Sequence, residues 1–408
     1  MSCNLPHGSS PYVDEKEMEF LPTKLRDFPV SAQVDCCYNT YLVASDGRLY
    51  MGTCRQGGSA HLLAYDPVMD KIIDLANMDD VVPGPAHGYV GQGKIHSQLC
   101  EGVDGKIYGA THMDILFPSW SSFYDAHGYA GGHWFYYDPK TNRCVDLGLA
   151  IKNEGILTMA MDRERQILYG LSWPRGYLLS YDIRTGITKN LGRASIHLSR
   201  YMVCLRDGTV YLTGRNGHMA YYRPGMRSVE NTSLKLHRRM GELYTADIGK
   251  DTTFTACIEL EPARSFLAFI FRTGDAFIYN QATGAIRYYE LFNQGFYFNM
   301  QPVMASDKKV YYALGPDTPG VPANQSARLF RLDPQTGANE LCGYFRDTPA
   351  DKLRHITGGA IGPDDTTYWF GLSSVSPDDP VTEVMNRSDS TSYFYNTIPK
   401  LIICRPRL

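Results

Sequence analysis

"VDGKIYGAT" (residues 103–111), followed after an insertion by "HWFYYDPKTNRCVDLG" (133–148), decides the fold. Apolar and polar residues alternate in each piece, the period of a half-buried strand, and Asp104-Gly105 is a tight-turn pair. The same unit recurs along the chain. It reads "SDGRLYMGT…HLLAYDPVMDKIIDL", "RQILYGLSWPRGYLLSYDIRTGITKNLG", "RDGTVYLTGRNGHMAYYRPGMRSVE", "ARSFLAFIFRTGDAFIYNQATGAIRYYEL", "DKKVYYALG…ARLFRLDPQTGANEL" and "DDTTYWFGL…PKLIICRP". Its marks are Tyr50, Tyr108, Tyr169, Tyr211, Leu267, Tyr311 and Tyr368, 42 to 61 residues apart. About four strands per unit at such spacing predict propeller blades. The expectation is an all-β chain, residues 1–408 forming a single domain. It is a seven-bladed β-propeller with four-stranded antiparallel blades. The last unit lacks an outer strand, and "EMEFLPTKLRDF" (17–28), within an N-terminal segment 1–30, is expected to supply it and close the ring.

Composition agrees and narrows the partners. The 29 tyrosines and 38 glycines suit strands joined by tight turns. A net charge of −3 argues against nucleic acid or an anionic membrane held by bulk charge. No apolar run approaches a membrane span, and the N-terminus as given shows no secretion signal. Ten cysteines without a CxxC pair are read as buried free thiols of a reducing compartment, and a monomer is expected. The sequons at Asn231, Asn324 and Asn386 decide little.

In the second unit the inner strand is placed at 96–103 and the next at 106–112. A hairpin brings its open ends together, so His96 and His112 are expected side by side on the top face near the axis. The insertion 113–131, carrying Asp114 and Asp125, rises over them, and His133 opens the third strand. Insertions at 315–326 and 373–396 fall on the same face. Two blades on, Tyr201 and Arg215 occupy the corresponding places, followed by His218. Trp173 and Arg175 end a strand of blade three, and His355 opens blade seven. Histidine moves protons near neutrality, tyrosine does so if cations lower its pKa, and arginine clamps a carboxylate. Together they suit proton abstraction beside a carboxylate, as in β-elimination of a uronic acid. A glycoside hydrolase would want two facing carboxylates instead.

The propeller and "KIHSQLCEG-DGKIYGATH…GGHWFYYDP" resemble the seven-bladed polysaccharide lyases, which include ulvan lyases and L-rhamnose-α-1,4-D-glucuronate lyases. The resemblance implies cleavage beside a glucuronate, leaving a 4,5-unsaturated uronate. His96, His112 and Tyr201 match the catalytic positions and Arg215 the clamp. Gln98, His133, Trp173, Arg175, His218 and His355 complete the expected substrate contacts. The short hairpin favours the rhamnose–glucuronate branch. The expected partner is a uronate-containing polysaccharide or oligosaccharide. No cofactor is required, and the metal is unknown. Some members carry calcium or zinc, which keeps a divalent cation open. Two alternatives stand: a binding or scaffold propeller, and a metal-dependent hydrolase or lactonase, for which Asn299 is the one weakly fitting ligand.

Overall fold

A computed structural model describes residues 15–82, 84, 90–113, 128–194, 199–214, 217–236, 253–260, 264–270, 276–289, 301–315, 325–345, 353, 355–374, 382–386, 391–395 and 397–406. Seven four-stranded antiparallel sheets are arranged as the blades of a propeller. Blade one runs Tyr41–Val43, Leu49–Gly52, His61–Asp66 and Lys71–Asn77 from axis to rim. Blade two runs Cys100–Glu101, Ile107–Ala110, Gly131–Asp138 and Arg143–Lys152. Blade three runs Gly155–Asp162, Ile167–Trp173, Tyr177–Asp182 and Ile187–Arg193, and blade four opens with Val203–Cys204 and Val210–Thr213. Strands are lettered A to D outward. A separate hairpin, Thr382–Asn386 with Thr391–Tyr395, lies within the expected insertion of blade seven. Among the described residues no helix is long and apolar enough to cross a membrane, and the nine described cysteines form no disulfide.

The repeated Asp-Gly…Tyr signature is a latch. Asp46, Asp104 and Asp207 each accept the amide two residues on, at 3.0, 3.2 and 2.9 Å. The glycines that follow them have φ of 82°, 78° and 85°, a left-handed conformation costly to other residues. The tyrosine four residues after the aspartate closes the latch: Tyr50 donates to Asp46 at 2.7 Å and Tyr108 to Asp104 at 3.0 Å. Each ring is buried, so the blade's main apolar side chain also fixes its A–B turn.

Blade seven is closed as the sequence implied. Thr23–Asp27 pairs antiparallel with Thr397–Cys404, from Thr23↔Cys404 to Asp27↔Lys400. Lys400 adds an ion pair to Asp27 at 2.7 Å. The segment also reaches both neighbours. Leu21 donates its amide to Tyr344 O of blade six at 2.9 Å, while Lys24 and Arg26 pair with Asp70 of blade one.

Neighbouring blades are sewn together on the top face by hydroxyl residues at the ends of the B strands. Thr53 O accepts Ile95 N at 3.0 Å, and its hydroxyl accepts His61 N at 2.7 Å. Thr111 does the same for Ile156 N (3.0 Å) and His133 N (2.9 Å). This seam shortens the inner strand of blade two relative to the expected 96–103. Ser97 Oγ fills the missing rung, accepting Ala110 N and donating to Ala110 O, both at 3.1 Å. Next to this rung the His96 ring turns toward blade three, where it meets Leu157 O.

Candidate active site

His96 and His112 meet on the top face, with ring centroids 5.9 Å apart. They are the middle of a longer row. Tyr38 of blade one lies 4.5 Å from His96 at 31°, and Trp173 of blade three lies 5.5 Å from His112 at 33°. Tyr38, His96 and Trp173 are half-buried, whereas His112 is buried. Three blades thus contribute one line of flat side chains, a surface on which a pyranose ring can stack.

The His96 tautomer follows from its partner. Nδ1 lies 2.9 Å from Leu157 O, which can only accept, so Nδ1 carries the hydrogen and Nε2 holds the lone pair. Burial, the Arg200 guanidinium and the Lys94 ammonium together push the imidazole pKa down to about 3, against the bond to Leu157. His112 is pushed well below the ordinary histidine value by burial, then by Lys94 and His96. Both rings are therefore neutral at neutral pH.

This has a consequence for stability, with a definite sign. The unfolded chain protonates these histidines near 6.5, while folded His96 resists until about 3. Between those values the unfolded state binds more protons, so stability falls as pH drops through the window. The urea midpoint is expected to be lower at about pH 5 than at about pH 7, with a smaller drop in His96→Gln. Equal drops in both proteins would show that the buried imidazole contributes nothing.

The other expected site residues fall out differently. Tyr201 is 6% exposed and packs with Val203, Leu205, Leu236 and Phe254. Burial, then the Cys257 and Cys100 thiols, raises its pKa strongly. That is opposite to the cation-assisted lowering expected of a proton-abstracting phenol. Gln98 Oε1 is occupied by Thr158 Oγ1 at 2.6 Å and Met159 N at 2.9 Å, fastening blade two to blade three. Arg175 is held by the fully buried Glu154, Nε to Oε1 at 2.6 Å, and Glu154 also accepts Ser172 Oγ at 2.7 Å. His133 Nδ1 meets Asp146 at 2.9 Å, repeating the His61–Asp74 pair of blade one at the start of strand C. His218 opens strand C of blade four and bonds Thr232 O at 3.2 Å. These three are fixtures of the C–D strand pair. His355 opens the inner strand of blade seven and is 3% exposed. Arg215, Asn299, Asp114 and Asp125 lie outside the described residues.

Three residues at the site escaped the sequence reading. Tyr38 stands eight residues before its turn aspartate, as His96 does, so the repeat itself could have found it. Arg200 supplies the charge that acts on His96 from blade four, one residue before Tyr201. Lys94, 1% exposed, pairs directly with His112. Among the described residues no group of three or more His, Cys, Asp or Glu could hold a metal ion.

No family model matches the chain, and no curated protein matches it. Many solved structures share its propeller fold. A streptogramin B lyase is 11% identical with TM-score 0.54, over 93% of this chain and 97% of that one. A catalytically inactive virginiamycin B lyase from Staphylococcus aureus, solved with quinupristin, is 9% identical with TM-score 0.56, over 93% and 99%. A chain of the mitotic checkpoint complex is 10% identical with TM-score 0.56, over 97% and 98%. These likenesses show the fold.

Proposed function

We propose that the protein is a polysaccharide lyase acting beside a glucuronate, with a rhamnose–glucuronate linkage the favoured substrate. The observation that carries this reading is His96, a half-buried imidazole with Nδ1 fixed on Leu157 O and a guanidinium acting on it from the next blade but one. Elimination needs a base at C5 and a cation on the C6 carboxylate. Nε2 of His96 supplies the first. Arg200, a cation that acts on His96 from blade four and is less buried than Lys94, takes the clamping role in this reading. A carboxylate arriving at Arg200 cancels one of the charges that weaken His96, so the base strengthens when the substrate is in place. Neutralising the carboxylate also stabilises the enolate-like state. Tyr38 and Trp173 flank the histidines and give the sugar rings faces to stack on. The leaving oxygen at C4 takes its proton from water, since Tyr201 is packed among apolar side chains.

Two of the similar folds are lyases by name and one belongs to a checkpoint assembly, so the fold alone serves chemistry and binding alike. A binding propeller is therefore the second reading, favoured by the row of rings, which would hold a sugar without cleaving it.

The deciding experiment is incubation with gum arabic, ulvan and pectic substrates, following the ultraviolet band of the unsaturated uronate and the product masses. Products 4,5-unsaturated at the new non-reducing end support the proposal. Water-added products favour a hydrolase, and retention of polysaccharide without any product favours the binding reading.

A further inference from the structure

The lead-in to blade one sets Cys36 directly opposite Cys54, just past the second strand of that blade. Cys36 N donates to Cys54 O at 3.3 Å, and Cys54 N donates to Cys36 O at 2.7 Å. The register is pinned from beside the pair. Asp35 accepts Arg55 Nη1 and Gln56 N, both at 2.7 Å, so the residues flanking the two cysteines are tied to each other. On the other side Cys37 O accepts the Thr357 hydroxyl of blade seven. Residues that exchange both backbone bonds in an antiparallel pair have Cα atoms about 5.5 Å apart and side chains on one face. Disulfides span Cα separations of roughly 4.4–6.8 Å. Both thiols are free in this structure, and both are buried in one apolar cluster with Phe28, Tyr41 and Phe370. The corresponding pairs are Lys94 with His112 in blade two and Gly155 with Trp173 in blade three, so facing thiols are no demand of the repeat.

We propose that Cys36 and Cys54 are a redox-active pair that closes into a disulfide under oxidising conditions and fastens the lead-in to blade one. The oxidant is a small disulfide such as oxidised glutathione. One protein thiolate attacks it, forms a mixed disulfide and releases one reduced glutathione. The second thiolate attacks the mixed disulfide and releases the other. Two protein S–H bonds and the glutathione S–S bond break. One protein S–S bond and two glutathione S–H bonds form, and two electrons pass from the cysteines to glutathione. Burial raises the Cys36 thiol well above its ordinary range and pushes Cys54 up to about 12. Exchange therefore proceeds in the moments when the lead-in lifts and the thiols meet water. The bond closes the loop 36–54 two residues before Tyr38, whose ring lies 4.5 Å from His96. It holds the segment that carries this ring and needs no lyase activity to form.

The test uses the full-length folded protein in urea well below its unfolding midpoint, incubated with oxidised or reduced glutathione. Remaining thiols are then alkylated, and the protein is digested with trypsin and weighed by mass spectrometry without reductant. Cleavage after Arg26, Arg48 and Arg55 leaves Cys36 on peptide 27–48 and Cys54 on peptide 49–55. The oxidised sample should yield these two peptides joined, and a reductant should separate them. Cys37→Ser should keep the joined species, whereas Cys36→Ser and Cys54→Ser should lose it. If a serine variant does not fold, the alanine variant is measured instead. The crosslinked protein should melt a few degrees above the reduced one, because the bond restricts the unfolded chain. Separate peptides in oxidised wild type overturn the proposal. So does a joined species that survives in Cys36→Ser or vanishes in Cys37→Ser. Melting at or below that of the reduced protein overturns the fastening.

Discussion

Replacing His96 with alanine is expected to lower uronate elimination by about 10²–10⁴-fold, the contribution of one positioned acid–base group. The folded protein should survive the change. His96 stands at the mouth of its strand, half-buried, and the neighbouring rung is made by Ser97 rather than by the histidine. One side-chain bond is lost, that to Leu157 O, while the seam bond from Ile95 N to Thr53 O remains. Steady-state rates measured beside the melting temperature separate the possibilities. A large loss of turnover with melting within a few degrees of wild type supports catalysis. Parallel losses would reduce His96 to a brace between blades two and three. Normal turnover would move the chemistry to another part of the ring.

The second large effect is on stability. Removing residues 1–30 takes away the whole outer strand of blade seven and uncovers the edge of Thr397–Cys404 over five paired residues. It also removes the Lys400–Asp27 and Lys24–Asp70 ion pairs, the Leu21–Tyr344 bond, and Phe28, whose ring lies 5.7 Å from Phe370 in the core. An exposed strand edge at the seam of a ring is both a break in the core and a template for pairing between chains. The truncated protein is expected to unfold or to aggregate on expression. Gel filtration and thermal melting check this. A monomer with wild-type melting would mean that the ring closes without its latch strand.

How much of this could be read from residues alone depends on how local the cause is. The blades were legible because their determinants lie within one hairpin: alternation sets the strand, Asp-Gly sets the turn, and the tyrosine four residues on locks it. Closure was legible because a missing strand leaves a visible gap in a repeat. The pairing of His96 with His112 followed from the same hairpin logic. What could not be read was the use made of each side chain across blades. Gln98 and Arg175 fit a site list by type, yet one is taken up by Thr158 and the other by Glu154. His133 resembles a ligand until it is set beside His61, which makes the same bond to an aspartate thirteen residues later. Tyr201 was placed by register, but whether a register position faces water or the core depends on residues distant in sequence, here Leu236 and Phe254. Arg200 was hidden for the same reason.

The turn latch has a further meaning for how such a protein changes over time. Because Asp46 with Tyr50 and Asp104 with Tyr108 each secure a blade at its bottom corner, those turns are fixed by bonds within their own hairpins. Side chains on the opposite face can be replaced without touching the bonds that hold these turns. A changed preference can therefore be sought by substitution at Tyr38 and Trp173, the two ends of the row that runs through His96 and His112, with the bottom turns left as they are.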